Sequence, residues 1–178
     1  MAALTGAVVL IVFVLAIDLL VTLGLIRRLR HLQQRLPASS PDALPTVGSP
    51  IPSFAMRALD GEHLDETEFA RGLALAVFLS AACEPCNRVR RELSERPPSQ
   101  RTFVFVKEIP GLEDETKVFA ESLDHVGTVA IIAQDDTLAR RLEISIVPTL
   151  LAITDGTITA ASTSLPRLFQ SLEAGVLA

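Results

Sequence analysis

The chain has 178 residues, a net charge of −5 at neutral pH and a mean hydropathy of +0.40. The mild acidity, with no basic stripe interleaved with aromatics, argues against nucleic acid as a partner. The chain holds only two cysteines, with two residues between them, so it carries no framework of structural disulfides.

Leu4 to Ile26 is one apolar run, interrupted only by threonine, glycine and Asp18. It has about the 20 residues needed to cross a bilayer. No basic side chain precedes it, and it passes directly into Arg27-Arg28-Leu29-Arg30-His31. That is the pattern of an uncleaved anchor, not of a cleavable signal peptide. Residues 1–26 are therefore expected to form a single transmembrane helix. Asp18 either lies near enough to one end to reach headgroups or faces a partner in the membrane. Residues 27–50 are expected to be a juxtamembrane helix, with Leu25, Leu29, Leu32 and Leu36 at helical spacing, followed by a linker. Pro37 to Pro52 holds five prolines and reads as a flexible spacer.

A folded domain is expected over residues 51–178, about 130 residues, enough for one full core. Phe54–Leu59 and Glu62–Leu64 flank Asp60-Gly61, a strong hairpin signal. Thr67–Arg71 reads as a helical turn. Leu73–Ser80 reads as a buried central strand, and Asn87–Leu93 as a helix with Cys86, Val89 and Leu93 on one face, stopped by Pro97-Pro98. Thr102–Lys107 is a strand apolar on both faces, as a central parallel strand should be. Asp114–Asp124 is expected to be a helix with Val118, Phe119, Ser122 and Leu123 inward. Thr128–Ala133 is a third strand, and Asp135-Asp136 caps a short helix through Leu142. Ile144–Thr154, the Asp155-Gly156 turn and Thr157–Ala161 form a second hairpin. Ser164–Val176 closes the chain as an amphipathic helix with Leu165, Leu168, Phe169, Leu172 and Val176 toward the core. The order implies an α/β sheet with helices on both faces and its last two strands antiparallel.

The chemistry centres on Cys83-Glu84-Pro85-Cys86. A strand feeding a Cys-x-x-Cys at a helix N-terminus is a redox arrangement. The free N–H groups and dipole of the helix favour negative charge there. Cys83 is expected to be the more exposed nucleophile, and Cys86 the thiol that resolves a mixed disulfide. Pro148 stands where a central strand should start, and it lacks a ladder donor. It is either a trans proline opening the strand or a cis proline in a turn beside the cysteines. In the second case the Val147 backbone is free to pair with an extended substrate segment, and Pro148 covers the disulfide. Two thiols fall short of the about four ligands of a complete zinc site. His31, His63 and His125 are scattered, so no metal site is expected.

These residues resemble the membrane-anchored thioredoxin-fold thiol–disulfide oxidoreductases of the TlpA/ResA group. Within it they are most similar to the MauD type, accessory proteins of methylamine dehydrogenase. The matching stretches are Val47-Gly-Ser-Pro-Ile-Pro-Ser-Phe54, Leu59-Asp-Gly-Glu62, Val77-Phe-Leu-Ser80 running into the cysteine pair, and Ile146-Val-Pro-Thr149 with its following hairpin. The resemblance implies a thioredoxin fold: a mixed central sheet flanked by helices, with an N-terminal hairpin extension. It also implies a protein substrate, a redox-active disulfide as the only redox group, and thiol–disulfide exchange on the outer face of the membrane. The sequence departs from relatives at Ala82, where most carry Trp, and at Val77, where thioredoxin carries a buried acid that assists proton transfer.

Glu84 and Pro85 are the residues between the cysteines that tune the pair. A carboxylate beside Cys83 disfavours its thiolate, and a less stabilised thiolate makes a more reducing pair. Arg88 and Arg90 are candidates to offset Glu84. The expected function is that of a membrane-anchored oxidoreductase, as reductase or isomerase, with Cys83 and Cys86 catalytic and Val147 and Pro148 binding substrate. It would mature or maintain an extracytoplasmic protein and be reset by a membrane redox partner. The alternative is a non-catalytic membrane assembly factor with the same fold. Orientation is contested. The basic residues after the anchor favour a cytoplasmic domain by the positive-inside rule, whereas the resemblance implies an outside one, which is the expectation adopted.

Overall fold

The computed structural model describes residues 44–176. The expected anchor, Asp18 and most of the linker lie outside them. Among the described residues no helix is long and apolar enough to cross a membrane.

A small antiparallel hairpin comes first, β1 (Ala55–Arg57) with β2 (His63–Asp65), followed by a 3₁₀ turn at Glu66–Phe69. A five-stranded sheet follows, made of β3 (Leu73–Ser80), β4 (Arg101–Lys107), β5 (Thr128–Ile132), β6 (Thr149–Thr154) and β7 (Thr157–Ser162). Its order is β5-β4-β3-β6-β7, so β3 lies at the centre. β4 pairs with β3 and β5 in parallel, and β6 pairs with β3 and β7 in antiparallel. The helices are α1 (Glu84–Glu95), α2 (Glu113–Glu121), α3 (Thr137–Arg141) and α4 (Leu165–Val176).

Alternation along the strands divides the core into two layers. Leu75, Val77 and Leu79 of β3 face one side, with Val104 and Val106 of β4 and Leu150 of β6. Cys86, Val89 and Leu93 of α1, Phe119 and Leu123 from the α2 segment, and Leu165 and Leu168 of α4 pack on them. On the other side Ala74, Ala76 and Phe78 meet Phe103, Phe105, Leu151 and Ile153, under α3, Phe54 and Phe69. The chain has no Trp or Tyr, so phenylalanines fill this layer. Phe78 stacks on Phe105 at 4.8 Å, and Phe69 leans on Phe103 at 4.7 Å.

Both outer strands are partly covered. Gly48 and Ile51 donate to the Ile158 and Gly156 carbonyls, and Ile158 donates back to Ser49, all at 2.8–2.9 Å. On the far edge Leu59 donates to Val129 at 2.6 Å. The β6–β7 turn uses Asp155 and Gly156 at φ 49° and 75°, the left-handed pair of a two-residue hairpin. Asp155 is fixed there because its carboxylate accepts the Gly72 N–H at 2.8 Å.

Three expectations change. Ile144–Pro148 is not strand, and the β3–β6 ladder begins at the Phe78–Thr149 pair. Proline brings no N–H to a ladder, and the Thr149 hydroxyl instead closes a local turn onto the Ile146 carbonyl at 2.8 Å. Val118 does not point inward and is 66% exposed. Thr116, Phe119, Ala120 and Leu123 make the buried stripe, and at about 100° per residue Val118 falls off it. Finally, α1 starts at Glu84, not at Asn87, so Pro85 and Cys86 lie inside its first turn.

Candidate active site

β3 ends at Ser80 in the centre of the sheet, and after Ala81 and Ala82 the chain enters α1 with Cys83 as its N-cap. The cap is built locally. Cys83 has extended backbone (φ −103°, ψ 112°), and its carbonyl accepts the Asn87 N–H at 3.1 Å. Its sulfur accepts the Cys86 N–H at 3.2 Å. Pro85 fits the first turn, where its missing N–H would have had no intrahelical acceptor. A thiolate on Cys83 would meet the same N–H and the positive end of the helix.

Cys83 and Cys86 are joined as a disulfide, with their Cα atoms 5.1 Å apart. The two sulfurs are not equivalent. Cys83 is half-buried, while Cys86 is 0% exposed and packed in the layer that holds Val77, Leu79 and Val89. Among the described residues the buried polar side chains are all serine or threonine, so no buried carboxylate, His or Lys serves Cys86 as a proton acceptor. Apolar burial of this kind favours the uncharged thiol.

The Val147–Pro148 bond is cis. The loop brings the Val147 carbonyl oxygen to 3.5 Å from the Cys83 sulfur, a packing contact in the disulfide and a hydrogen-bond acceptor for Cys83 as a thiol. Pro148 is buried, and Val147 is half-buried and touches both core layers. Val147 stands outside the ladder, since β6 starts at Thr149. Glu84 and Pro85 are exposed on the outer side of the pair. Arg88 is exposed as well. Among the described residues Arg90 makes no ion pair with Glu84: its guanidinium lies 5.5 Å from the Phe119 ring centroid and donates to the Ser122 hydroxyl at 3.5 Å.

The residues singled out in the sequence thus meet from two chain segments, 83–86 and 147–148. What sequence reasoning missed is the α2 side. Ala81, Asn87 and Arg90 line a groove of about 490 Å³ together with Val118, Phe119 and Ser122 of the α2 segment. Only the tertiary fold joins these positions, and no local motif signals them. Glu113, at the start of α2, is held below the usual carboxylate range by the Gly111 N–H, which it accepts at 2.9 Å. Among the described residues no group of three or more His, Cys, Asp or Glu is arranged to hold a metal ion.

A central mixed sheet, a cysteine pair at the N-terminus of the helix after its middle strand, and a cis-proline loop against that pair define a thioredoxin-like fold. No protein-family model matches the chain, and no curated protein sequence matches it. Solved structures do. One is the thioredoxin domain of a thiol-disulfide oxidoreductase from Bacteroides vulgatus, at 19% identity and TM-score 0.57, covering 74% of this chain and 98% of that one. Another is a thiol:disulfide interchange protein from Bacteroides sp., at 19% identity and TM-score 0.58, with 76% and 93% covered. A third is a secreted Mycobacterium tuberculosis disulfide oxidoreductase homologous to E. coli DsbE, at 18% identity and TM-score 0.54, with 68% and 95% covered. The chain has their thioredoxin-like α/β fold.

Proposed function

We propose that the chain is a membrane-anchored thiol–disulfide oxidoreductase of the MauD-like kind, acting as a reductase or isomerase on an extracytoplasmic protein. One observation carries the chemistry: a half-buried Cys83 caps a helix, is bonded to a fully buried Cys86, and faces the Val147 carbonyl. That is an exposed attacking sulfur with a protected resolving sulfur behind it. The fold of the solved oxidoreductases supports the same assignment. Residues 1–26 supply the anchor, 27–50 the juxtamembrane helix and spacer, whose last residues, Gly48 to Pro50, lie against the β6–β7 hairpin, and 51–178 the redox domain.

In the reducing direction the Cys83 thiolate attacks one sulfur of a substrate disulfide. A mixed disulfide forms, and the other substrate sulfur leaves as a thiolate and takes up a proton. Cys86 then gives up its proton to water entering beside Cys83 and attacks the Cys83 sulfur. The second substrate sulfur departs as a thiolate and takes up a proton. Two electrons have passed to the substrate, and Cys83 and Cys86 end as the disulfide. Val147 and Pro148 hold the substrate segment against Cys83 during both steps. A dithiol partner in the membrane returns the pair to its reduced form. The reducing lean rests on Glu84, whose carboxylate adjoins Cys83 without stabilising its thiolate, with Arg90 occupied elsewhere.

Thiol trapping in intact cells tests this. A membrane-impermeant maleimide is added with and without an impermeant reductant, and the mass shift of the full chain is scored. Labelling without reductant is the expected result. Labelling only after reduction would mean an outward pair kept oxidised and would refute the reducing direction. Labelling only after lysis would put the domain in the cytoplasm, in agreement with the positive-inside rule.

A further inference from the structure

The groove between α1 and α2 has no part in the exchange chemistry, yet one of its lining residues, Asn87, is bonded to the backbone of Cys83. Ala81 and Asn87 form its end nearest Cys83, and the Asn87 N–H is bonded to the Cys83 carbonyl at 3.1 Å. Phe119 lines its inner part, and Val118 stands on its rim at 66% exposure. Among the described residues only Val118 and Val47 are large apolar side chains left so open. An extended chain advances about 3.3–3.6 Å per residue, so two or three residues flanking a cysteine bonded to Cys83 reach about 7–11 Å from it.

The charges on the two walls are not in the same state. Arg90 on α1 is engaged by the Phe119 ring and the Ser122 hydroxyl. Asp114 and Glu115 on α2 are exposed, and among the described residues neither is in an ion pair. The α2 cation, Lys117, pairs with Glu121 at 3.9 Å. The groove therefore offers an apolar floor and, with two carboxylates against the one Arg90 guanidinium, a net negative charge.

We propose that this groove is the specificity subsite for the protein substrate. It takes an extended segment next to the substrate cysteine, with an apolar side chain on Val118 and Phe119 and a basic side chain against Asp114 and Glu115. The proposal rests on the oxidoreductase function above and names its substrate class: cysteines flanked by apolar and basic residues.

The test uses reduced full-length protein in zwitterionic detergent. Its substrates are symmetric disulfide dimers of short peptides, X-Leu-Cys-Leu-X, with X as Arg, Gln or Glu. An aromatic small-molecule disulfide is run beside them. Rates are expected to fall in the order Arg, Gln, Glu, by about two- to fivefold per step at low salt and less at high salt. The Asp114→Asn/Glu115→Gln protein should bring the Arg-to-Glu ratio close to one. Because the ratio is internal to each protein, a general loss of reactivity cancels. In Val118→Ser the advantage of leucine-flanked over serine-flanked peptides should shrink by about threefold. A ratio that survives neutralisation of Asp114 and Glu115 would overturn the proposal and trace the preference to Glu84. A wild-type preference for the Glu peptide would overturn it in favour of Arg90. Exchange with the aromatic disulfide but with no peptide would sink the subsite alone. No exchange with any of them would sink the oxidoreductase function and the subsite together.

Discussion

Replacing one cysteine at a time separates the two sulfurs in the reduced protein. In Cys86→Ser the remaining thiol is the half-buried helix cap, and in Cys83→Ser it is a side chain with 0% exposure. For Cys86 to meet a reagent, the first turn of α1 has to open. Opening breaks the bond from the Asn87 N–H to the Cys83 carbonyl, at about 1 kcal/mol. It also exposes a small apolar side chain, at about 1–2 kcal/mol. The sum, about 2–3 kcal/mol, is a population penalty of about 30- to 150-fold, taking 1.36 kcal/mol as tenfold. The helix N-terminus and the Cys86 N–H act on Cys83 alone and widen the gap. Full-length variants, reduced and mixed with excess iodoacetamide, are followed by intact mass. Cys86→Ser should be modified at least thirtyfold faster than Cys83→Ser. Equal rates in two folded variants would refute the assignment of attacking and resolving roles.

Other outcomes follow from the packing. Leu93→Ala should destabilise the domain by about 3–4 kcal/mol, because Leu93 is fully buried between α1 and the sheet, and thermal unfolding should shift down by about 10 °C. Gly127→Ala should lower stability by about 1–3 kcal/mol in denaturant titration, since a Cβ there would run into the Thr102 backbone carbonyl. Asp65 is held below its usual value of 3.8, chiefly by the Thr67 hydroxyl and then by the Thr67 N–H. A depressed carboxylate stabilises the fold above its unfolded value, and that contribution is lost as pH falls through the folded value. The melting-temperature deficit of Asp65→Asn should therefore be present at neutral pH and vanish well below pH 3.8, and a deficit independent of pH would contradict the cause given.

The sequence made much of this fold legible where local chemistry is strong. Leu73–Ser80 reads as a strand by its unbroken apolar run, and that is β3. Asp60-Gly61 and Asp155-Gly156 mark two hairpins because their turns favour those residue types. Cys83 and Cys86 stand out by spacing alone. Other features were hidden because they depend on partners far along the chain. Ile144–Pro148 is apolar enough to read as strand, but β6 starts only at Thr149, and Val147 lies against Cys83 instead. Val118 reads as inward because apolar side chains usually are, but the α2 stripe is set by the sheet beneath it and leaves Val118 66% exposed. Arg90 is, with Arg88, only a candidate to offset Glu84 in the sequence, and in the structure its guanidinium lies over the Phe119 ring. The pairing of Gly48 and Ile51 with the β6–β7 hairpin lies within a proline-rich stretch that reads as a spacer.

The most direct test of the central claim is a stoichiometric exchange followed by intact mass. Reduced full-length protein is mixed with one equivalent of a disulfide-linked peptide. The wild-type chain should lose two hydrogens as the peptide gains two and its disulfide opens. Cys86→Ser should stop at a mixed disulfide through Cys83, and Cys83→Ser should leave the peptide intact. A wild-type chain that leaves the peptide unchanged, or a Cys83→Ser chain that reacts as fast as wild type, would contradict the account.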